Sequence, residues 1–504
     1  MVDTIRTRSF AYVLLASLLL AAPAWAYDIP VGPDEPAGIG NVITTHIVVQ
    51  FETEFLDTHT IAAGRVIDNG PLDALSQTWG VTRITPLLTH PAANDAAASA
   101  RGLDRFFLLA VPPGTDTSSM VTEYASTTGV AQAEVDGLGG IAETIPNDPQ
   151  FALQWNMRNI GQSGGTPDAD IAATFAWDLH VGAGTVTIAV IDTGVQSDHP
   201  DLIGRVIPGW NFYSNNSNSE DVHGHGTHVS GIAGAVGNNG TGVAGVNWDV
   251  RILAIRVTST SGTYNESDLA DAIVWAADNG ADFISMSLQS YTGSAPLEAA
   301  IDYARDNGVL PIAATGNNRG NLIAFPARFA GCMGVGASDH NDQWPSFSNW
   351  GPQVDVAAPG AVIYSLFRGS GYRTLSGTSM AAPHVSGLAS LMLSYNDCLS
   401  ANEIADLLRT TALDLGPAGF DQKFGHGRID ALAALREAAA TAAGDTNCDC
   451  QVDAADIEPF ILALFDPAGY AAAFPDCYLL RADMNGDDVV NALDIEGLLL
   501  RMFP

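Results

Sequence analysis

The chain is short of positive charge: 21 Lys and Arg stand against 56 Asp and Glu in 504 residues, a formal net charge of −35. Phosphate recognition needs clustered Lys and Arg, so this composition argues against a nucleic-acid partner. Cysteine is scarce too, at five, and an odd number leaves at least one unpaired within a monomer. Beyond the N-terminal segment no apolar run approaches the roughly 20 residues that a membrane helix needs. What is present is ordinary for folded protein, with 47% hydrophobic and 8% aromatic residues, so disorder is not the default. The length points to about two to four domains. The acidity reads as solubility, for instance in a salty medium, or in part as carboxylates gathered around Ca²⁺.

The first residues have the form of an export signal. Arg6 and Arg8 make a positive n-region, Ala11 to Ala22 an apolar h-region too short to span a bilayer, and Ala24-Trp25-Ala26 a small-x-small cleavage site. Residues 1–26 are therefore expected to be removed and the chain secreted, where cysteines can pair. Residues 27–40 are rich in Pro and Gly and read as a linker. Residues 41–146 carry strand patterns at His46–Phe51, Val81–Leu88, Arg105–Val111 and Val130–Val135, with helical patterns near Pro71–Trp79 and Thr117–Ser126. That order predicts a small α+β unit, βαββαβ. Over 147–440 apolar β runs alternate with helical stretches, the pattern of an α/β fold whose parallel sheet is covered on both faces. The Ala-rich stretch 438–444 reads as a short joint to a last segment, 445–504, which contains an internal repeat.

Three segments of the α/β region carry chemistry. Asp192 directly follows the apolar β run Val186–Ile191, and sites in open α/β sheets form beyond the carboxyl ends of strands. Alone, it reads as a turn or capping Asp. His225 lies in Asp221-Val-His-Gly-His-Gly-Thr-His228, ahead of an expected helix. The three histidines there invite a zinc reading, but no coherent His/Cys/Glu set at zinc spacing surrounds them. Ser379 lies in Gly-Thr-Ser-Met-Ala-Ala-Pro383, ahead of Val385–Tyr395, which is apolar almost all round, as in a buried helix. A serine at that helix N-terminus faces free N–H groups and the positive dipole end; alone, it reads as an N-cap. Together the three supply a nucleophile, a base and a group that fixes the base's tautomer. Asn317 follows the strand-like Leu310–Thr315, where its amide can donate to a tetrahedral oxyanion beside the Ser379 N–H.

The blocks VIDTGV, HGHGTHVSG, AATGN and SGTSMAAPHV resemble, in order, the Asp, His, Asn and Ser blocks of the subtilisin-like serine peptidases, the thermitase-like subtilases among them. The resemblance covers roughly 147–440. It implies a three-layer fold with a seven-stranded parallel sheet, and an endopeptidase acting on proteins or peptides that binds substrate as an added β-strand. It assigns Asp192, His225 and Ser379 as catalytic, with Asn317 in the oxyanion hole. The strand around Ser259–Thr263, with Gly262, and the segment Ser287, Leu288, Gln289, Ser290 would flank the substrate, together with Gly316. Where the family usually reads Ser-Leu-Gly-Gly, Gln289 and Ser290 put side chains at the rim of the pocket for the residue before the scissile bond. The 41–146 unit resembles an inhibitory propeptide, with autocleavage expected in Val135–Ile145 or just before Asn147. The resemblance also implies a Ca²⁺ site made of Asp148, Asp201 and Asn239 side chains and the carbonyls of Val236, Thr241 and Val243, all hard oxygen donors.

In the last segment Asp445, Asn447, Asp449, Gln451, Asp453 and Asp456 occupy positions 1, 3, 5, 7, 9 and 12 of a loop. Asp483, Asn485, Asp487, Val489, Asn491 and Asp494 repeat the spacing, and each loop feeds an apolar helix. Such spacing wraps a chain around Ca²⁺. Position 12 is Asp rather than Glu, and position 6 is Cys450 or Asp488 rather than Gly. The segment resembles a type I dockerin, which implies a small all-α domain, two Ca²⁺ ions and a cohesin-like partner. A mature monomeric enzyme, secreted or held at a cell surface, is expected. Cys448 and Cys450 lie close to Cys477 in sequence, so one disulfide is open to the module; the pairing, and the state of Cys332 and Cys398, are left open.

Overall fold

A computed structural model describes residues 42–53, 60–62, 65–67, 71–88, 98–99, 101–112, 115–137, 143–474, 477–486 and 489–502. The signal segment, the linker and Asp487 lie outside the described residues. The chain divides into two compact units, Met1–Gly140 and Ile141–Pro504.

In the first unit β1 (Val42–Phe51), a hairpin of β2 (Thr60–Ala62) and β3 (Arg65–Ile67), α1 (Pro71–Thr78), β4 (Arg83–Pro86), β5 (Phe106–Ala110), α2 (Thr117–Ala125) and β6 (Val130–Gly137) follow in order. The four long strands pair antiparallel as β4-β5-β1-β6. Ile47, Val49 and Phe51 alternate onto one face of β1, where they meet Leu72 of α1 and Met120 and Tyr124 of α2. This is the expected βαββαβ unit, with the hairpin added. The processing segment differs from expectation at its start. Val135 and Gly137 are paired with β1, opposite Ile47 and Val42, so β6 runs two residues past Val135.

The second unit opens with α3 (Ala173–Leu179), followed by β7 (Thr187–Asp192), β8 (Val206–Asn211), α4 (His225–Gly234), β9 (Arg251–Arg256), α5 (Glu266–Asp278), β10 (Phe283–Met286), α6 (Ala295–Asp306), β11 (Leu310–Ala314), β12 (Met333–Ser338) and β13 (Val356–Pro359). These seven strands form one parallel sheet of order β13-β12-β11-β10-β7-β9-β8. Their near-continuous apolar sequence is explained by burial on both sides. Ile188, Val190, Ile252 and Ala254 face the layer that holds α4 and the later helices, while Ala189, Ile191, Leu253 and Ile255 face α5 and α6. A hairpin, β14 (Ile363–Phe367) and β15 (Gly371–Leu375), leads into α7 (Thr378–Tyr395), which is buried over almost its whole length. α8 (Ala401–Thr410) and α9 (Ala431–Ala442) complete that layer. α9 runs through most of the stretch expected to be a joint, because Ala is the strongest helix former.

The last segment consists of α10 (Ile457–Phe465), α11 (Pro467–Ala473) and α12 (Asp494–Met502), with the two repeated loops ahead of α10 and α12. The loops are built alike. Asp456 accepts from the N–H groups of Thr446, Asn447 and Asp453. Asp494 accepts from the equivalent Met484, Asn485 and Asn491. The carboxylate at position 12 thus closes each loop onto positions 2, 3 and 9. Cys448 pairs with Cys477 inside this segment and Cys450 with Cys398 outside it, which leaves Cys332 as a buried thiol.

Candidate active site

Each candidate side chain stands where a regular element begins or ends. Asp192 is the last residue of β7 and only 1% exposed. His225 is the first residue of α4, and its Nδ1 lies 2.8 and 2.9 Å from the two Asp192 carboxylate oxygens. Gly226 permits this approach: a Cβ there would fall 2.0 Å from the Gly194 carbonyl oxygen and 3.2 Å from Asp192 Cβ. Burial lowers the His225 pKa, but the Asp192 carboxylate and, more weakly, Asp221 outweigh it, so the net shift is upward.

Ser379 is the second residue of α7. Pro383 lies in the second turn of that helix and has no N–H, so the Ser379 carbonyl loses its helical donor. It accepts instead from Ser287 Oγ at 2.6 Å, while Ser379 Oγ donates to the Ser287 carbonyl at 3.4 Å. Ser287 immediately follows β10, whose Ser285 pairs in parallel with Val190 of the adjacent β7, two residues before Asp192 ends that strand. Neighbouring strands lie about 4.8 Å apart, so the sheet brings the Asp192–His225 pair and the Ser287–Ser379 pair side by side. No hydrogen bond joins Ser379 to His225 among the described residues; the serine hydroxyl is turned to Ser287.

Asn317 follows β11, the next strand. Its Oδ1 accepts from Thr378 N at 2.9 Å and Thr378 Oγ1 at 3.0 Å. With the carbonyl side of the amide held by the start of α7, the NH₂ side is turned toward Gly377, two residues before Ser379. Gln289 Oε1 accepts from Asn317 N at 3.2 Å, so a side chain from the segment after β10 crosses to the segment after β11. The expected strand at Ser259–Thr263 is a tight turn instead. Ser259 N donates to the Thr263 carbonyl, Ser259 Oγ bonds Ser261 and Thr263, and Gly262 has φ +80. Short hydroxyl side chains and a glycine favour such local closure over pairing.

The three histidines do not converge. His228 is buried with Nε2 on the Arg373 carbonyl, and burial pushes its pKa down to about 3. His223 is exposed. Two positions that pattern did not single out prove central. Asp221 is a buried hub that accepts from the backbone of His223, Gly224 and Thr227 and from the hydroxyls of Thr193 and Thr227. It fixes the loop that presents His225. Its signal was legible as Asp followed six residues later by a hydroxyl residue, flanking the histidine. Asn349 is buried and does the same for the Asn317 loop, donating to the Thr315 and Leu322 carbonyls and accepting from Asn318 N and Gly320 N. It lies 32 positions beyond Asn317 and carries no local motif.

Of the residues expected to hold Ca²⁺, Asp148 and Asp201 are both buried. Asp148 accepts from Asn238 N and Asn239 N, and Asp201 from Val243 N, Asn239 Nδ2 and Tyr372 Oη. Burial raises both carboxyl pKa values, and the charge of Asp148 adds to the rise at Asp201. Two neighbouring buried carboxylates are hard oxygen donors of the kind a divalent cation takes; in this structure they accept from N–H and O–H groups, and Asn239 turns its Nδ2 to Asp201.

Comparison with known proteins agrees with this geometry. Residues 183–427 match the Subtilase family. The chain is 42% identical to thermitase of Thermoactinomyces vulgaris over 291 residues, 58% of this chain and 99% of that protein. It is 41% identical to subtilisin DY of Bacillus licheniformis over 255 residues, 50% of this chain and 91% of that one. Among solved structures, a protease of Pseudoalteromonas arctica superposes with a TM-score of 0.53 at 33% identity, covering 58% of this chain and 99% of its own. No helix among the described residues is long and apolar enough to cross a membrane. The chain belongs to the subtilase family and is a subtilisin-like serine endopeptidase.

Proposed function

We propose that the chain is a secreted, autoprocessed endopeptidase that cleaves peptide bonds through an acyl-enzyme on Ser379. The observation that carries this is the pairing of a buried Asp192 with His225 beside a serine held at the next strand end. A rotation about the Ser379 Cα–Cβ bond moves Oγ from the Ser287 carbonyl toward His225, whose Nε2 takes the proton as Oγ attacks the substrate carbonyl. The negative oxygen is received by Asn317 Nδ2 and the Ser379 N–H. His225 then protonates the leaving amine, and water reverses the steps to release the acid. Substrate lies as an added strand along Ser287, Leu288 and Gln289, with Gly316 and Gly262 at the cleft. Gln289 narrows the pocket for the residue before the scissile bond.

The βαββαβ fold of the first unit supports its role as an inhibitory propeptide that is removed near residue 147. Asp148, Asp201 and Asn239, with the carbonyls of Val236, Thr241 and Val243, would hold one Ca²⁺. The loops 445–456 and 483–494, including Asp487, would hold two more and serve a calcium-dependent tether to a cohesin-like partner. Calcium held there would neutralise the charge of the buried carboxylates. The test is labelling by a fluorophosphonate probe. Wild type should react and S379A should not, and S379A should stay full length where wild type is shortened. Equal labelling of both proteins would sink the assignment of Ser379.

A further inference from the structure

The 445–504 segment is fastened to the peptidase body at several independent points. Cys450 is cross-linked to Cys398, just beyond the end of α7. Cys450 is residue 6 of the first loop and has φ +65, a conformation that a side chain makes costly and that glycine usually fills. The cross-link gives a physical reason for cysteine there. Arg481, with a side chain only 4% exposed, bonds Asp445 Oδ2 through Nη1 at 2.6 Å and Asp397 Oδ1 through Nη2 at 3.3 Å. One guanidinium thus joins a buried carboxylate of the segment to an exposed carboxylate of the peptidase body.

His180, at the end of α3, lies between Ser394 of α7 and Tyr478. Its Nε2 is 2.9 Å from Ser394 Oγ and its Nδ1 2.8 Å from Tyr478 Oη. Burial holds His180 down to about 4, so the ring is neutral and the bonds run in one direction. Tyr478 donates to Nδ1, Nε2–H donates to Ser394, and Ser394 donates to the Leu391 carbonyl. Tyr395 stacks on the same ring, 5.4 Å between centroids, and packs on Tyr478 at 4.6 Å. Arg501 of α12 donates to the Ala440 and Thr441 carbonyls, placing a positive charge at the negative end of α9.

We infer that the C-terminal segment is also an intramolecular brace, which fastens to its own peptidase body and ties the far end of α7 to α9. This goes beyond the tethering role and stands whether or not the loops bind calcium. Ser379 is 16 residues from Tyr395, about 24 Å along the helix. The brace therefore acts on persistence of the fold and not on the chemistry.

The experiment uses the mature full-length protein in three forms: wild type, C398A/C450A and R481M. Melting is followed after blocking the active serine with a fluorophosphonate, which prevents autolysis, and kcat/KM on a small peptide substrate is measured on unblocked protein. The expected result is a fall in Tm on the order of 5 °C for C398A/C450A, a smaller fall for R481M, and kcat/KM within about twofold of wild type for both. Peptide mapping of unreduced wild type should recover residues 398 and 450 on linked peptides. The inference is overturned if neither variant melts lower, if kcat/KM drops without a change in Tm, or if mapping finds Cys398 and Cys450 unlinked. Should C398A/C450A fail to fold, R481M and the mapping decide.

Discussion

Replacing Asp192 by Asn tests the site at its most buried point. The substitution keeps size and shape and removes one charge. In the wild type both carboxylate oxygens face His225 Nδ1, at 2.8 and 2.9 Å, and Thr193 N donates to Oδ1 at 2.7 Å. At about 4 Å between charge centres and an effective dielectric of about 20, the carboxylate stabilises the imidazolium formed in the transition state by about 4 kcal/mol. That corresponds to roughly 10³ in rate. The Asn amide also presents an N–H where an acceptor is needed, which selects the wrong tautomer of His225. A total loss in kcat of about 10⁴ is expected, with KM little changed.

The pH dependence gives a second readout with a definite sign. His225 must be neutral to act as base. In the wild type its pKa is raised, so activity climbs as pH rises through that value. In D192N burial remains and the attraction is gone, so the acid limb of the residual activity should move to lower pH. The same upward shift means that His225 adds stability that is fully present below its unfolded pKa and fades as pH rises through the folded one. The assay is hydrolysis of a chromogenic peptide amide across the acid limb, with the variant matured in trans by wild-type enzyme. A D192N enzyme within about tenfold of wild type, or an acid limb that moves upward, would refute the reasoning.

Asn317→Leu should lower kcat by about 10²–10³, the loss known for the oxyanion donor of subtilisin itself, while KM on the same peptide stays near wild type. Gln289→Gly removes the side chain that reaches Asn317 N; the ratio of kcat/KM for a large over a small apolar residue before the scissile bond should rise, and an unchanged ratio would count against a narrowed pocket. Asp221→Ala should free the His225 loop and leave several buried donors without a partner, so both kcat and Tm should fall; a fall in neither, by kinetics and calorimetry, would show the hub to be dispensable. Chelation of calcium should lower Tm by an amount that D201A then no longer shows at its own site, since a ligand at 100 times its Kd contributes about 2.7 kcal/mol; equal chelator sensitivity in wild type and in D148A/D201A would remove that site from the account.

Much of the site could be seen in sequence because its parts are local. Asp192, His225, Asn317 and Ser379 each sit in a short run that itself signals a strand end or a helix start. The two-sided apolar strands of 187–192 and 251–256 also announced a parallel sheet covered on both faces. Segments whose form depends on distant partners were less legible. Ser259–Thr263 looked extended by likeness alone and closes into a turn through its own hydroxyls. The Ala-rich joint is the last turns of α9.

The sequence by itself therefore determined the candidate groups for the chemistry and the elements that bear them. Those depend on side-chain type, on β-branched runs, on glycine next to His225 and on proline in the second turn of a helix. Only the tertiary structure decided how the groups are aimed. The Ser287–Ser379 contact spans 92 positions and the Cys398–Cys450 cross-link 52. Neither leaves a periodicity that a local window can register. Strand order places Ser287 beside Asp192, and the packing of α7 against the C-terminal segment selects Cys398 as the partner of Cys450. The physical reason is that pairing of this kind is settled by which surfaces bury each other, and burial is a property of the whole chain.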